Sequence, residues 1–349
     1  MGRLRCCRNR AWPALVTGVL IIGVGQTGRL PVPNSYRSAV EKRYSQVMED
    51  ATDSARRADI IVMGDSRIAF GLGSKELAST LRFPKRRGKL PVVVTLAMPG
   101  GDFASDLWLW WRVTRAGRPR ARLVIVGVSE MSVMAKYPGR DIASRYHCTV
   151  RDLGWLIAGG QLADAAAVLT YRAFPLYAGR QRIVDFLRRQ THGDFIPKAL
   201  TARYTADEYG RMYKNYCVEG FQVRCLERLI GEAQAARAQV FLVAPPIDRS
   251  LLLIAEEGFP APGATQDSGF PRSESRAQAP LTLLQRTVFP VAARFQVPYL
   301  NYLTSKDSAR FEYWDASHLS TSLSGGVLFT NDVVHKINQV LARRPLRTS

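Results

Sequence analysis

Short apolar runs alternate with helical patterns along the body of the chain. The runs lie in five stretches, which are residues 58–71, 91–101, 121–130, 238–247 and 297–303. Each run is apolar throughout, as expected when helices cover both faces of a sheet. Strand-like runs that alternate with helical patterns are typical of a parallel sheet. The pattern therefore predicts an α/β fold with a parallel five-stranded sheet and a final helix from about Leu323 to Leu341.

Two segments interrupt this alternation. Residues 131–225 contain helical patches rich in Arg, Tyr and Leu without an obvious core strand, and we interpret them as a helical insertion. Residues 256–280 are rich in Gly, Pro and Ser, a composition that predicts a mobile loop. Ligands of open α/β sheets collect beyond the carboxyl ends of the strands. Both segments therefore lie where they could cover a site.

The first 28 residues have the composition of a targeting segment. Four arginines precede the uncharged stretch AWPALVTGVLIIGVG at residues 11–25, a pattern typical of a signal peptide or an uncleaved signal anchor. No convincing small-residue cleavage site follows, which favours an anchor. The positive-inside bias then places the chain from about Arg29 outside the membrane. We therefore divide the chain into 1–28 as anchor or signal peptide, 29–57 as linker or helix, and 58–345 as the main domain.

The chain is strongly basic. It has 49 Lys and Arg against 29 Asp and Glu, for a formal net charge of +20. Such a charge is compatible with nucleic acid, an anionic membrane surface or an anionic polymer, and many of the arginines could simply be solvated. No zinc-ligand spacing, RNA-binding aromatic signature or basic helix with heptads is present. We therefore expect no nucleic acid partner, no metal and no cofactor.

Three of the five cysteines, Cys148, Cys217 and Cys225, fall in the part expected to be exported. Cys217 and Cys225 could form a disulfide only if the chain turns between them, because eight residues of helix separate Cα atoms by about 12 Å. The alternative is that they are buried free thiols. The sequence leaves both alternatives open.

The first apolar run ends in Gly64-Asp65-Ser66. One interpretation is turn chemistry, in which Gly64 and Asp65 end the strand and Ser66 caps the next helix. The other is that Ser66 is a nucleophile. A serine hydroxyl is a poor nucleophile at neutral pH, so it needs a histidine to take its proton and a carboxylate to orient that histidine.

Such a pair occurs in the stretch EYWDASHLSTSLSGG, residues 312–326. Asp315 and His318 are three positions apart, so one short segment can present both groups. Of the four histidines, His318 alone has an acid at this spacing between a predicted strand and a predicted helix. A surface histidine and a helix-capping aspartate would be the alternative, but they do not explain why both motifs fall at strand ends of one sheet. We therefore predict a catalytic triad of Ser66, His318 and Asp315.

The order of these motifs resembles that of the SGNH or GDSL hydrolases. GDS follows the first strand, a glycine the second, the turn VGVSE the third, and D-x-x-H precedes the last helix, so the resemblance covers roughly residues 58–130 and 238–342. It implies a flavodoxin-like three-layer sandwich. The stretch DASHLSTSLSGGVLFTNDVV, the N-terminal segment and the Pro-Pro after the fourth strand are most similar to the membrane-anchored branch. That branch includes D-alanyl-lipoteichoic acid biosynthesis proteins and partners of membrane-bound O-acyltransferases.

The resemblance also implies the oxyanion-stabilising groups. These are the backbone N–H of Ser66, that of Gly101 or its neighbour Gly100, and a side chain after the third strand. Family members commonly have Asn-Asp where this chain has Ser129-Glu130. A serine hydroxyl is a shorter and more rotatable donor than an Asn amide, so Ser129 is either a weaker donor or a strand-end turn residue.

Arg67 directly follows the predicted nucleophile. It could bind an anionic group of the substrate beside Ser66, or it could point into solvent. We name it as the candidate substrate-binding residue.

These features favour a membrane-anchored, extracytoplasmic serine esterase or O-acyltransferase acting on a cell-envelope polymer. The candidate partners are that polymer and a membrane-bound O-acyltransferase. One alternative is a non-catalytic or weakly active assembly partner of such an acyltransferase, which the departure at Ser129 supports. Another is a secreted lipase-like esterase or thioesterase whose first 28 residues are removed.

Overall fold

The five apolar runs form the strands of one parallel sheet. The strands are β1 (Ile60–Met63), β2 (Val93–Thr95), β3 (Leu123–Gly127), β4 (Gln239–Ala244) and β5 (Tyr299–Asn301). Their order across the sheet is β2-β1-β3-β4-β5, and every neighbouring pair is parallel. This is the order of flavodoxin-like folds. The predicted fold class, a parallel five-stranded α/β sheet, is confirmed.

The structure, a computed structural model, describes residues 39–83, 89–117, 119–134, 148–173, 205–213, 216–257, 279–320 and 324–343. The helices are α1 (Ala39–Asp53), α2 (Ser66–Gly71), α3 (Ser74–Thr80), α4 (Phe103–Arg115), α5 (Leu153–Ala158), α6 (Leu162–Ala173), α7 (Ala206–Met212), α8 (Gly220–Ala235), α9 (Arg249–Glu257), α10 (Pro280–Phe295), α11 (Ser305–Ser308) and α12 (Ser324–Arg343). The chain divides into two compact units, one made of Met1–Lys42 and Cys148–Thr201, the other of Arg43–His147 and Ala202–Ser349. The sheet belongs to the second unit.

Helices cover both faces of the sheet. On one face α12 packs against α2 and α3, and strand residues such as Ile60, Ile125 and Phe241 join them in one buried core. On the other face α8 packs against α4 and α10, and Trp108 and Trp110 of α4 are fully buried. Every residue of β1 and β3 is buried, which is why their sequences are apolar without alternation. The result is the three-layer sandwich that the resemblance implied.

The loops after β1 and β2 approach each other closely. A Cβ built on Gly101 would lie 2.6 Å from the carbonyl oxygen of Gly64. Gly64 itself has a φ of +132°, in the region that favours glycine. Backbone therefore lies directly against backbone beside Ser66.

The predicted insertion at 131–225 contains helices α5, α6 and α7. The next helix, α8, begins at Gly220 and buries Leu226 and Leu229 in the helical layer against the sheet. The last residues of the predicted insertion therefore belong to α8.

Several sequence-based predictions concern residues outside the described part of the chain. These include the anchor at 1–28, the first ten residues of the linker or helix at 29–57, and most of the loop at 256–280. The described ends of that loop are helical, since α9 reaches Glu257 and α10 begins at Pro280. Among the described helices, none has the length and apolar character to cross a membrane. Cys148, Cys217 and Cys225 are free thiols.

We predict that Gly101→Ala destabilises the protein by about 1–3 kcal/mol, because the added methyl group would overlap the Gly64 carbonyl and force the two loops apart. Urea unfolding measures the difference in the free energy of unfolding. The control is Gly231→Ala within α8, where a Cβ would make only an ordinary contact with Phe295 at 3.6 Å. Alanine stabilises a helix relative to glycine, so the control should unfold at the same or a higher urea concentration. Equal stability of the two variants would contradict the close approach.

Candidate active site

A tight turn after β1 presents Ser66. The Gly64 N–H donates to Asp106 Oδ1 at 3.0 Å, and the next residue, Asp65, is the N-cap of α2, accepting the Arg67 N–H at 3.0 Å. Asp65 therefore performs the capping that one interpretation assigned to Ser66. Ser66 occupies the first position of α2, and its hydroxyl is left for another partner.

That partner is His318. The distance between Ser66 Oγ and His318 Nε2 is 2.7 Å. On the other side of the ring, Nδ1 lies 2.9 Å from Asp315 Oδ1 and 3.0 Å from Oδ2. The three residues predicted from the sequence are thus joined in one chain of hydrogen bonds at the carboxyl end of the sheet.

Local hydrogen bonds hold the segment that carries Asp315 and His318. Asp315 Oδ1 accepts the backbone N–H groups of Ser317 and His318, both at 2.8 Å. Tyr313 and Leu319 form an antiparallel bridge, and the Asp248 N–H, from the loop after β4, donates to the Ala316 carbonyl at 3.0 Å. The carboxylate both closes the turn and faces the imidazole, because a short Asp side chain can bond backbone groups two and three residues on.

The environment of Asp315 favours its ionised form. Burial alone would raise the pKa of Asp315, but hydrogen bonds and the charge of His318, together with two backbone N–H groups, lower it below its ordinary value. An ionised carboxylate can only accept, so Nδ1 is the donor toward Asp315 and Nε2 is left to accept the Ser66 hydroxyl proton. This is the tautomer that a general base requires.

Two backbone N–H groups in the turns after β1 and β2 have no hydrogen-bond acceptor among the described residues and are candidates to stabilise an oxyanion. One belongs to Ser66, which as the first residue of a helix has no intrahelical acceptor. The other belongs to Gly100, which has a φ of +71° and whose N–H has no acceptor among the described residues. The Gly101 N–H donates to the Met98 carbonyl at 3.1 Å. Of the two glycines considered, the geometry therefore favours Gly100 and disfavours Gly101.

Ser129 does not fit the role of an oxyanion donor. Its hydroxyl donates to Asp65 Oδ2 at 2.8 Å and lies 3.0 Å from the hydroxyl of Ser132. The side chain is 1% exposed. Ser129 therefore braces the capping residue of the nucleophile turn, a function closer to the strand-end alternative.

Arg67 does not fit the role of a substrate-binding residue. Its side chain is 3% exposed, and its two terminal nitrogens bond Glu130 at 2.7 and 2.5 Å. The buried acid that neutralises it lies 63 positions away in sequence, so the pairing was not visible beside Ser66. The guanidinium is committed to this bidentate ion pair and cannot bind an anionic substrate group.

Aromatic rings surround His318. The ring centroids of Phe70, Trp314 and Tyr209 lie 5.5, 6.2 and 6.4 Å from that of His318. Phe70 and Trp314 are 45% and 39% exposed. Exposed aromatic rings beside the base give the apolar part of a substrate a surface to contact.

Sequence reasoning missed three tyrosines near this site. Tyr209, Tyr213 and Tyr216 belong to α7 and the residues that follow it, inside the predicted insertion. Tyr209 and Tyr213, the C-cap of α7, are four positions apart and so lie on one face of the helix, and this spacing was the signal that could have identified them. Sequence reasoning also missed Asp106, whose pKa is well above its ordinary value because of burial and the nearby Asp102.

No protein-family model and no curated protein matches the chain. A GDSL-like lipase from Bacteroides thetaiotaomicron is a structurally similar protein, with 11% identity, a TM-score of 0.36, and alignment of 86% of this chain and 97% of that one. A catalytic mutant of an acetylxylan esterase from Geobacillus stearothermophilus has 13% identity and a TM-score of 0.36, with 80% of this chain and 94% of that one aligned. Similarity at this level supports no conclusion about function. Conclusions about function are therefore drawn from the geometry of the site.

We predict that Glu130→Gln lowers the free energy of unfolding by about 3–5 kcal/mol at pH 7, because it leaves the Arg67 charge buried without its partner. Burial alone would raise the pKa of Glu130, but Arg67 and Tyr213 lower it below its ordinary value. A carboxyl group whose pKa is lower in the folded than in the unfolded protein stabilises the fold fully at a pH above its unfolded pKa, about 4.3. This stabilisation is lost as the pH falls through the folded pKa.

The stability difference between wild type and Glu130→Gln should therefore shrink as pH falls below about 4.3, where the unfolded chain begins to take up a proton at Glu130 that the folded protein does not yet bind. Urea unfolding at pH 7 and at pH 3 measures it. The matched control is Glu227→Gln, which removes a surface pair with Arg294 and should cost about 1 kcal/mol or less. A difference for Glu130→Gln that is as small as the control's at pH 7, or that does not change with pH, would contradict the buried pair.

Proposed function

We propose that the protein is a serine hydrolase acting on ester bonds, with Ser66 as nucleophile, His318 as general base and Asp315 as the acid that orients it. The observation that carries the proposal is the unbroken chain of hydrogen bonds from Ser66 Oγ through His318 to Asp315, at 2.7 and 2.9 Å. Hydrogen-bond contact between nucleophile and base, with a third group holding the base, is the signature of an activated serine.

In the first half of the reaction, Ser66 Oγ attacks the acyl carbonyl carbon while His318 Nε2 takes the hydroxyl proton. The N–H groups of Ser66 and Gly100 stabilise the resulting oxyanion. The tetrahedral intermediate then breaks its bond to the leaving oxygen, which receives the proton from His318. The products of this half are the free alcohol and an ester between the acyl group and Ser66.

In the second half, water or an acceptor hydroxyl attacks that ester and gives its proton to His318 Nε2. The intermediate expels Ser66 Oγ, which recovers the proton from His318. Water gives the carboxylic acid, so the enzyme is an esterase. An acceptor hydroxyl gives a new ester, so the enzyme is an acyltransferase.

We extend the proposal to an extracytoplasmic enzyme held at the membrane by residues 1–28 and acting on a cell-envelope polymer. The support is the arrangement of arginines and apolar residues at the N-terminus. The net charge of +20 would favour an anionic polymer or membrane surface. A membrane-bound O-acyltransferase is the partner that this proposal implies. Removal of residues 1–28 would instead give a secreted esterase or thioesterase.

One observation favours a second candidate, a non-catalytic or weakly active assembly partner of an acyltransferase. The hydroxyl of Ser129 is bonded to Asp65, so the oxyanion would depend on two backbone N–H groups. Loss of a single oxyanion donor typically lowers turnover by about 10²–10³. This candidate predicts slow turnover or none, despite an intact triad.

We predict that Ser66→Ala, His318→Ala and Asp315→Ala each remove most of the turnover of an activated ester such as p-nitrophenyl acetate. The loss should be on the order of 10⁴ to 10⁶ for Ser66 and His318 and smaller for Asp315, which only orients and stabilises the imidazolium. The Ser66→Ala, His318→Ala double variant should be little slower than either single variant, because the residues act as one unit.

His335→Ala is the matched control, since this second described histidine is exposed on α12 and bonds Gln339. It should retain wild-type turnover, and thermal melting verifies that all variants are folded. Wild-type turnover in a folded Ser66→Ala protein would overturn the nucleophile assignment. Turnover of the wild type equal to that of Ser66→Ala would favour the non-catalytic candidate.

We further predict that the expressed full-length chain is found in the membrane fraction at its full mass of 38.9 kDa. A matched variant that lacks residues 1–28 should move to the soluble fraction, because it has lost the apolar segment. Cell fractionation followed by mass measurement tests this. A soluble mature protein that begins near Arg29 would contradict the anchor and favour a cleaved signal peptide.

A further inference from the structure

Three tyrosines of the α7 segment face the active site together. Tyr209 and Tyr213 lie four residues apart on one face of α7 and its C-cap, and the backbone N–H of Tyr216 donates to the Tyr213 carbonyl at 3.0 Å. They are 9%, 2% and 5% exposed. We call them the tyrosine face. Tyr213 and Tyr216 contact each other edge to face, with ring centroids 6.1 Å apart.

The first tyrosine is connected to the base. The Tyr209 ring lies beside the imidazole, with its centroid 6.4 Å from that of His318, and its hydroxyl shares a hydrogen bond with the Ser317 side chain. Ser317 Oγ in turn lies 3.1 Å from His318 Nδ1. A short chain of hydrogen bonds thus runs from Tyr209 to the nitrogen that Asp315 also holds.

The other two tyrosines are connected to the nucleophile turn. The Tyr213 hydroxyl donates to Glu130 Oε1, and the Tyr216 hydroxyl donates to the Glu130 carbonyl at 2.7 Å. Glu130 holds Arg67 in the buried bidentate pair, and Arg67 directly follows Ser66. The backbone N–H of Arg67 also bonds the Asp65 cap. The second chain of hydrogen bonds therefore ends one residue from the nucleophile.

We propose that the tyrosine face positions Ser66 and His318 relative to each other, an inference that rests on the proposed hydrolase function. The two residues belong to separate elements 252 positions apart. The α7 segment is bonded to a neighbour of each, to Ser317 beside His318 and to Glu130, the partner of Arg67 beside Ser66. The tyrosines do not touch the reacting atoms, so they are positioning residues. Their hydroxyls act by holding Ser317 on one side and Glu130 on the other.

Hydrogen bonding, beyond packing, is required for this role. A phenylalanine at position 209 or 213 would fill nearly the same volume and preserve the aromatic contacts. It would leave Ser317 or the buried Glu130 carboxylate with one hydrogen-bond partner fewer. Productive geometry must be held within about 0.5 Å, and a displacement of about 1 Å can reduce turnover about 10²-fold. Loss of the Tyr209 or Tyr213 hydroxyl should therefore reduce kcat even in a variant that remains folded.

The test compares Tyr209→Phe, Tyr213→Phe and the double variant with Tyr299→Phe. Tyr299 is a suitable control because its hydroxyl is buried without a hydrogen-bond partner among the described residues. With an activated ester, each site variant should lose roughly 10-fold or more in kcat, with KM changed less than about threefold. The control should match wild type in both constants.

A second readout does not require turnover. The proton on His318 Nδ1, shared with Asp315, is followed by ¹H NMR, and its resonance should move in Tyr209→Phe and stay in place in Tyr299→Phe. If Tyr213→Phe fails to fold because Glu130 has lost a donor, Tyr209→Phe decides the question alone, since it leaves Glu130 untouched.

The outcomes distinguish failure of the positioning role from failure of the proposed hydrolase function. If wild type is active, Ser66→Ala is inactive, and the tyrosine variants match Tyr299→Phe in kcat and in the Nδ1 resonance, the positioning role is overturned and the hydrolase stands. A rise in KM of the tyrosine variants with kcat unchanged from wild type also overturns the positioning role. If Ser66→Ala keeps wild-type turnover, or wild type has none, the proposed function fails and the inference fails with it.

Discussion

The hydrogen bond between Ser66 Oγ and His318 Nε2 is the contact on which the rest of the site depends. It joins the residue after β1 to a loop between β5 and α12, across 252 positions of sequence. A parallel sheet brings such residues together because the carboxyl ends of all its strands lie at one edge. The glycines at 64 and 101 let the loops after β1 and β2 approach, and Asp315 closes the turn that presents the imidazole.

Sequence signals that are local predicted the framework and the contacts among Ser66, His318 and Asp315. The five apolar runs contain all five strands, because strands buried on both faces must be apolar at consecutive positions. Asp315 and His318 were identifiable because three residues separate them and one short segment can present both. Ser66 was identifiable from the turn Gly64-Asp65 before it and the existence of that pair. Each of these inferences needed only neighbouring residues and the general rule for ligand sites of open α/β sheets.

Roles that depend on distant partners could not be predicted in this way. Arg67 follows Ser66 and was expected to contact substrate, but the buried Glu130 neutralises it. Ser129 stands where a donor was expected, and its hydroxyl is bonded to Asp65. The choice between Gly100 and Gly101 depended on which of the two backbone N–H groups is already hydrogen-bonded within the turn, and the Gly101 N–H is. In each case the three-dimensional partner, rather than the residue type, determines what the side chain or N–H group can do.

The central claim is that Ser66 is an activated nucleophile, and covalent labelling tests it most directly. A fluorophosphonate added to the full-length protein should form one adduct per chain, and peptide mapping after proteolysis should place it on Ser66. His318→Ala should react far more slowly, because the serine has lost its base, while His335→Ala should react like wild type. An adduct on another residue, equal labelling of Ser66→Ala, or no adduct on a folded wild-type protein would contradict the account.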